Sequence, residues 1–170
     1  MKRLPYLILA AVIAALDALT KWLIVARLDL HDAVTVIPGF LQLVHVRNSG
    51  AAFGIGAGSE SAFVPLLLNA GAVTVLCVVV IYSLRASISE RALQTGLHLI
   101  IGGAIGNLVD RFRFGYVVDF ADVFVGEHHW PAFNVADSAI CVGIGLLFLD
   151  MKQRPEETAA LTVPAGEEAH

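Results

Sequence analysis

Four stretches of this chain are apolar for long enough to cross a bilayer, and that single feature removes most folds from consideration. A helix needs roughly 20 apolar residues to cross about 30 Å of hydrocarbon, and inside the hydrocarbon only helices or closed barrels satisfy the backbone. The stretches run from about Leu4 to Ala26, Ala62 to Leu84, Leu93 to Val109 and Asn134 to Met151. A mainly α membrane protein, a bundle of four transmembrane helices, is therefore expected. The last two stretches are short for spans, which suits a site near one membrane surface. Lys2 and Arg3 ahead of the first stretch imitate a signal peptide. Its length, with Asp17 and Lys21 inside it, marks it instead as a retained helix.

Charge sets the expected orientation. Lys2, Arg3, Arg85, Arg91, Lys152 and Arg154 flank one side of the spans in short loops or ends, and that side is read as cytoplasmic. Arg27, Arg47, Arg111 and Arg113 are spread over the longer connections opposite. Both termini then lie inside. The formal charge of -4 resides in Glu156, Glu157, Glu167 and Glu168, beyond Pro155, where no Lys or Arg follows. Residues 155–170 read as a disordered acidic cytoplasmic tail, and residues 1–154 as one membrane domain with no net charge. Such a body offers no basic face for nucleic acid. Cys77 and Cys141 sit in apolar runs and are read as small core residues rather than a disulfide.

Two outer insertions, about 28–61 and 112–133, exceed simple connections. Phe40 to Arg47 alternates partly with period two and reads as a strand, with Pro38-Gly39 marking a turn before it and Asn48-Ser49-Gly50 one after it. Tyr116 to Phe120 is a second strand candidate, followed by a loop whose Trp130 suits an interface. An open sheet edge cannot sit in lipid, so these strands are expected to form a small β-sheet on the outer membrane surface.

Ionisable groups in or beside a span cost at least ~2.5 kcal/mol at the helix centre and need a partner or a purpose. Asp17 and Lys21, four apart on one helical face with the acid first, read either as a structural ion pair or as support for a site. His98 reads as a core residue. Asn107, Asp110 and Arg111 share one face at the outer end of the third span, and read as a polar cap or as groups that hold substrate or a loop. Asn134-x-x-Asp137 reads as a helix N-cap with an acid in the first turn. Asp119 and Asp137 also enter and leave a single loop at one membrane depth. Two carboxylates held close together split their pKa values and share a proton, which is the equipment of an aspartic protease. Zinc is a poor fit, because Glu127-His128-His129 lacks helical ligand spacing and no His-Glu-x-x-His occurs. No Gly-x-Ser-x-Gly elbow is present, and Gly54 to Gly58 reads as a flexible loop rather than a phosphate cradle.

The stretches Val46-Arg-Asn-Ser-Gly-Ala-Ala-Phe53, Gly102-Gly-Ala-Ile-Gly-Asn-Leu-Val-Asp-Arg111, Gly115-Tyr-Val-Val-Asp-Phe120, Trp130-Pro-Ala-Phe-Asn-Val-Ala-Asp-Ser138 and Asp17-Ala-Leu-Thr-Lys21 together closely resemble the bacterial lipoprotein signal peptidase (signal peptidase II) family, from about residue 5 to 150. The resemblance implies an aspartic endopeptidase of the bacterial inner membrane. Its substrates would be prolipoproteins, cleaved just before the diacylglyceryl-modified cysteine. It implies Asp119 and Asp137 as the catalytic pair. Asn48, Asn107, Asp110, Arg111 and Asn134 would shape the site, supported by Asp17 with Lys21. It also implies an outer sheet that cradles substrate and a short amphipathic segment, placed near Ala57 to Ala62. The expected partners are lipidated substrates and membrane lipids, with the chain a monomer and no metal or cofactor. A non-enzymatic membrane scaffold and a lipid-modifying enzyme are the rival classes.

Overall fold

Helix ends in this chain are set by identifiable chemistry rather than by where hydrophobicity stops. The computed structural model describes residues 3–50 and 63–152. The segment near Ala57 to Ala62, the Gly54 to Gly58 run and the acidic tail lie outside the described residues. Helix α1 (Leu4–Arg27) carries Pro5 in its first turn, where a missing N–H is harmless. Helices α2 (Phe63–Arg85), α3 (Arg91–Phe114) and α4 (Val135–Lys152) follow. α1, α2 and α3 are long and apolar enough to cross a membrane. α4 has 18 residues and carries Asp137, Asp150 and Lys152, so length and composition alone do not make it a span.

The third apolar stretch is not short. α3 has 24 residues and continues through Asp110, Arg111 and Arg113 to Phe114, so Phe112 to Phe114 belong to a helix and not to the insertion. The charged residues prolong it because Asp110 is paired inside the protein and the two arginines favour the C-terminal end of the helix dipole. Gly115, at φ 79, then ends the helix, its N–H returning to the Arg111 carbonyl at 3.0 Å. A left-handed residue at this position is a glycine preference, and it turns the chain directly into the next strand.

α3 is the axis of the bundle, packing against α1, α2 and α4. Its small residues allow this. A Cβ at Gly102 would lie 2.6 Å from the Ala10 carbonyl, one at Gly103 would strike the Ala136 carbonyl, and one at Gly106 would lie 2.6 Å from the Asp17 carboxylate. The side chains of α2 face mostly outward. Cys77 and Cys141 are exposed rather than buried, a correction to the expectation. In a span, the face that meets lipid is as apolar as the core, so an apolar run does not say which way a residue points.

One end of the bundle carries a four-stranded antiparallel sheet in the order β1-β2-β3-β4, built from β1 (Ala33–Ile37), β2 (Leu41–Asn48), β3 (Val117–Val125) and β4 (His128–His129). Pro38-Gly39 makes the β1–β2 turn, with Gly39 at φ 74 and the Phe40 N–H bonded to the Ile37 carbonyl at 3.0 Å. β1 and β4 were not expected. Every residue of β1 is exposed, so its side chains give no inside-outside alternation to read. The β2–β3 register slips by one residue between Leu43 and Val46, a bulge of the kind that re-aims side chains beside functional sites. Ile24, Val118 and Phe120 form the apolar cluster that seats the sheet on the end of α1.

Candidate active site

Asp17 and Lys21 of α1 are the foundation. One helical turn apart, they meet at 2.7 Å with almost no exposure. The ammonium of Lys21 is ion-paired with Asp17 Oδ2 and with Asp110 Oδ2 at 3.0 Å, and donates a hydrogen bond to Asn107 Oδ1 at 2.9 Å. A buried cation satisfied in this way fixes whatever its acceptors hold. Asp110 also accepts the Val118 N–H at 3.3 Å, tying α3 to β3. The other oxygen of Asp17 accepts the Ala136 N–H at 2.9 Å, so a carboxylate from α1 caps the first turn of α4.

Asn107 passes this order on. Its Oδ1 faces the Lys21 ammonium, which fixes the amide orientation, since the reverse would set N–H against N–H. Its Nδ2 must then point at Asp137 Oδ1, and does so at 2.7 Å. Asn134 repeats the device, donating from Nδ2 to Asp119 Oδ1 at 2.7 Å and to Asn107 Oδ1 at 3.2 Å. Asp119 and Asp137 are therefore joined through two consecutive asparagine amides.

Asn134 and Asp137 also cap α4 reciprocally. The Asp137 N–H donates to Asn134 Oδ1 at 2.9 Å, and the Asn134 N–H donates to Asp137 Oδ2 at 3.2 Å. Helix cap and acidic site are not alternatives here: the cap is what holds the second acid still. On β3, Asp119 lies on the same sheet face as Asn48, whose Nδ2 donates to Asp119 Oδ2 at 3.0 Å across the strands. Asn48 Oδ1 in turn accepts the Gly50 N–H at 3.0 Å, and Arg111 reaches the Gly50 carbonyl at 3.4 Å.

Every sequence-predicted site residue thus falls in one cluster, with divided roles. Asp17, Lys21 and Asp110 are interior struts; Asn107 and Asn134 are linkers; Asn48, Arg111, Asp119 and Asp137 line a cavity of about 860 Å³. The cavity runs from the two acids between the face of α4 that carries Ile140, Cys141 and Val142 and a rim formed by Trp130 to Phe133. His98 is a core residue, bonded through Nδ1 to the Gln94 carbonyl at 2.8 Å and packed on Tyr6. Sequence reasoning did not pick out Gln42 or Asp122 and weighed His129 only as a poor zinc ligand; the three form a second polar group on β2, β3 and β4. The charge of Asp122 in a strand, three residues after Asp119, was the available signal.

Burial, as the largest cause, pushes the Asp119 carboxyl up to about 6, and the charge of Asp137 adds to it. The amides of Asn48 and Asn134 and the cation of Lys21 pull the other way. Asp119 therefore holds a proton at pH values where an ordinary aspartate is ionised.

The signal peptidase (SPase) II family matches residues 9–153. The lipoprotein signal peptidase of Syntrophotalea carbinolica is 51% identical over 144 residues, 84% of this chain and 88% of its own length. That of Nitratidesulfovibrio vulgaris is also 51% identical, over 86% of this chain and 88% of its own. Among solved structures, a bacterial membrane enzyme determined by the in meso method at 2.3 Å resolution superposes with a TM-score of 0.78 at 27% identity, covering 96% of this chain and 94% of that one. A second such enzyme, at 1.9 Å resolution, gives a TM-score of 0.75 at 29% identity over 86% of this chain and 92% of that one.

Proposed function

Because the chain belongs to the signal peptidase II family, an aspartic-type family whose members remove signal peptides from prolipoproteins, we propose that Asp119 and Asp137 are its catalytic pair. The observation that carries this reading is the amide-linked pair of acids at the polar end of an otherwise apolar groove. Asp119 in its protonated form gives its proton to the scissile carbonyl oxygen while the carboxylate of Asp137 takes one from the attacking water. Collapse of the tetrahedral intermediate breaks the C–N bond. The proton on Asp137 passes to the leaving amine, and the intermediate's hydroxyl proton returns to Asp119. Asn107 and Asn134 keep the two carboxyls oriented through the cycle, and Asn48 and Arg111 fix the β2 side of the groove.

The substrate is read as a prolipoprotein whose cysteine already carries a diacylglyceryl group, cleaved just before that cysteine. A groove with acids at one end and Ile140 and Val142 along its wall suits a peptide bond beside hydrocarbon. α4 is read as a fourth span, since 18 residues rise about 27 Å and Asp150 and Lys152 stand at its end. Arg3, Arg85, Arg91 and Lys152 gather at the end away from the sheet, and by the positive-inside rule that end and both termini are read as cytoplasmic, with the acids near the outer face of the bacterial inner membrane. Residues 1–154 form one domain working as a monomer among membrane lipids, with 155–170 as a cytoplasmic tail.

The test is to incubate purified protein with a diacylglyceryl-modified prolipoprotein and follow release of the free signal peptide. Asp119→Asn and Asp137→Asn should each lower kcat by about 10²- to 10⁴-fold while the protein still inserts and melts cooperatively. Normal processing by folded Asp137→Asn protein sinks the pair.

A further inference from the structure

Asp122 is a buried carboxylate outside the catalytic cluster, on the face of β3 opposite to Asp119. Directly across from it on β2, Gln42 Nε2 donates to its Oδ2 at 2.6 Å. From β4, His129 Nδ1 lies 2.8 Å from Oδ2 and 3.0 Å from Oδ1, so one ring N–H serves both oxygens. The His129 ring also stacks on Phe124, with centroids 4.9 Å apart and planes 12° from parallel. These contacts hold the ring at both its edge and its face. β4 is two residues long, and just past it the Trp130 N–H bonds to the Val123 carbonyl at 2.8 Å, so the backbone ladder at this exit is short and the side-chain bond of His129 bears directly on it. The residues that follow it, Trp130 to Phe133, are the rim of the groove and lead straight into Asn134 and Asp137.

We propose that Asp122 and His129 are positioning residues for substrate binding: their bond fixes the point where the chain leaves the sheet and so sets the Trp130–Phe133 rim against the bound lipopeptide. The geometry separates this role from catalysis. Neither residue lines the cavity that holds the two acids, whereas the catalytic end of the same loop is anchored independently, by the Phe133 backbone on Ala121 and by the α4 cap. Loosening the clamp therefore frees the rim and leaves the acids in place. The inference rests on reading this groove as the substrate path.

The experiment uses full-length protein in detergent with a diacylglyceryl-modified prolipoprotein as substrate, and Trp22→Phe as background so that Trp130 is the sole tryptophan reporter. His129 is half-exposed, so His129→Ala is expected to fold. It should raise KM about tenfold with kcat within about twofold, and make Trp130 more accessible to acrylamide quenching. His129→Asn puts an amide N–H where Nδ1 was and should recover most of both effects; a merely space-filling role predicts no such rescue. Unchanged Trp130 quenching in His129→Ala overturns the clamp. Altered quenching with unchanged KM overturns the proposal from the other side, by removing this rim from the substrate path while the wild type still cleaves. Loss of kcat at constant KM also overturns it, by making His129 part of the chemistry.

Discussion

The two ends of this bundle both bury polar side chains, and they use them in opposite ways. At the sheet end, Lys21, Asn107 and Asn134 satisfy side-chain carboxylates, and the chain of bonds ends in two acids that open onto a cavity. At the far end, Arg3 and Gln94 satisfy backbone carbonyls. Arg3 donates to the carbonyls of Ser83 at 2.6 Å and Leu84 at 2.9 Å, and Gln94 Nε2 to those of Ser83 at 3.1 Å and Ala86 at 3.3 Å. Those carbonyls are the ones a helix leaves without intrahelical partners in its last turn. The far-end cluster therefore closes α2 and ties it to α1 and α3, its amide and guanidinium donors spent on backbone carbonyls. Burying polarity is costly at either end; what differs is whether the last acceptor in the network is already spent on the fold.

The most forceful way to break this contrast, after replacement of the proposed catalytic pair, is to remove the cation at the root of the sheet-end network. Lys21→Met leaves Asp17 and Asp110 buried without their counter-charge, and breaking a buried pair from one side costs about 3 to 5 kcal/mol. A fall in thermal stability of that order is expected in detergent, with activity lost as Asn107 loses the group that orients it. Unchanged melting would mean that the two carboxylates find other partners, and that the network is not built from Lys21 outward.

Asp119 sharpens the comparison from within the sheet end, because a residue with the catalytic role proposed for it should cost the fold something. Its folded-state carboxyl sits at about 6 against an ordinary 3.8. A raised carboxyl means that the native state holds the proton more tightly than the unfolded chain does. Its favourable contribution is complete below about pH 4, fades as pH rises toward 6, and becomes the full cost of a buried charge above that. Asp119→Asn is expected to be more stable than wild type at pH 7, by up to about 3 kcal/mol, with the advantage shrinking as the pH falls through 6 to 4. Melting curves of the two proteins across that range check it; a constant difference would show that Asp119 does not titrate there.

How legible each end was in the sequence follows from the same contrast. The sheet-end acids stood out because a charge in or beside an apolar run is expensive, and Asp17, Lys21, Asp119 and Asp137 drew attention for that reason alone. Their connections did not. The bonds from Lys21 to Asn107 and from Asp17 to Ala136 join residues far apart in the chain, and nothing local encodes them. The double duty of Asn134 and Asp137, cap and site at once, was visible only as two competing readings. Gln94 escaped notice because an uncharged amide barely interrupts an apolar span. β1 offers no pattern to read, because its branched residues alternate with nothing and all five residues of the strand are exposed. The length of α3 is hidden in the sequence because charged residues imitate a helix end when their partners, Lys21 among them, lie on other elements.

The smallest expected effect tests the far end by itself. Gln94 is fully buried, donates to the C-terminal carbonyls of α2 and accepts the Ser83 hydroxyl at 3.0 Å. Leucine fills nearly the same volume but supplies no donor. Gln94→Leu therefore removes no packing, and part of the shortfall is covered by Arg3, which shares the Ser83 and Ala86 carbonyls. A loss of about 1 to 3 kcal/mol is expected for the group left unpaired, read as a lower melting temperature, with kcat and KM of the folded protein unchanged. The distance along α3 from Gln94 to Asn107 is nearly four helical turns, and the intervening contacts are close-packed glycines rather than a hydrogen-bond path. If Gln94→Leu melts like wild type but cleaves poorly, that separation fails: the two polar ends would then be coupled through the α3 axis, and the far end would belong to the site as much as to the fold.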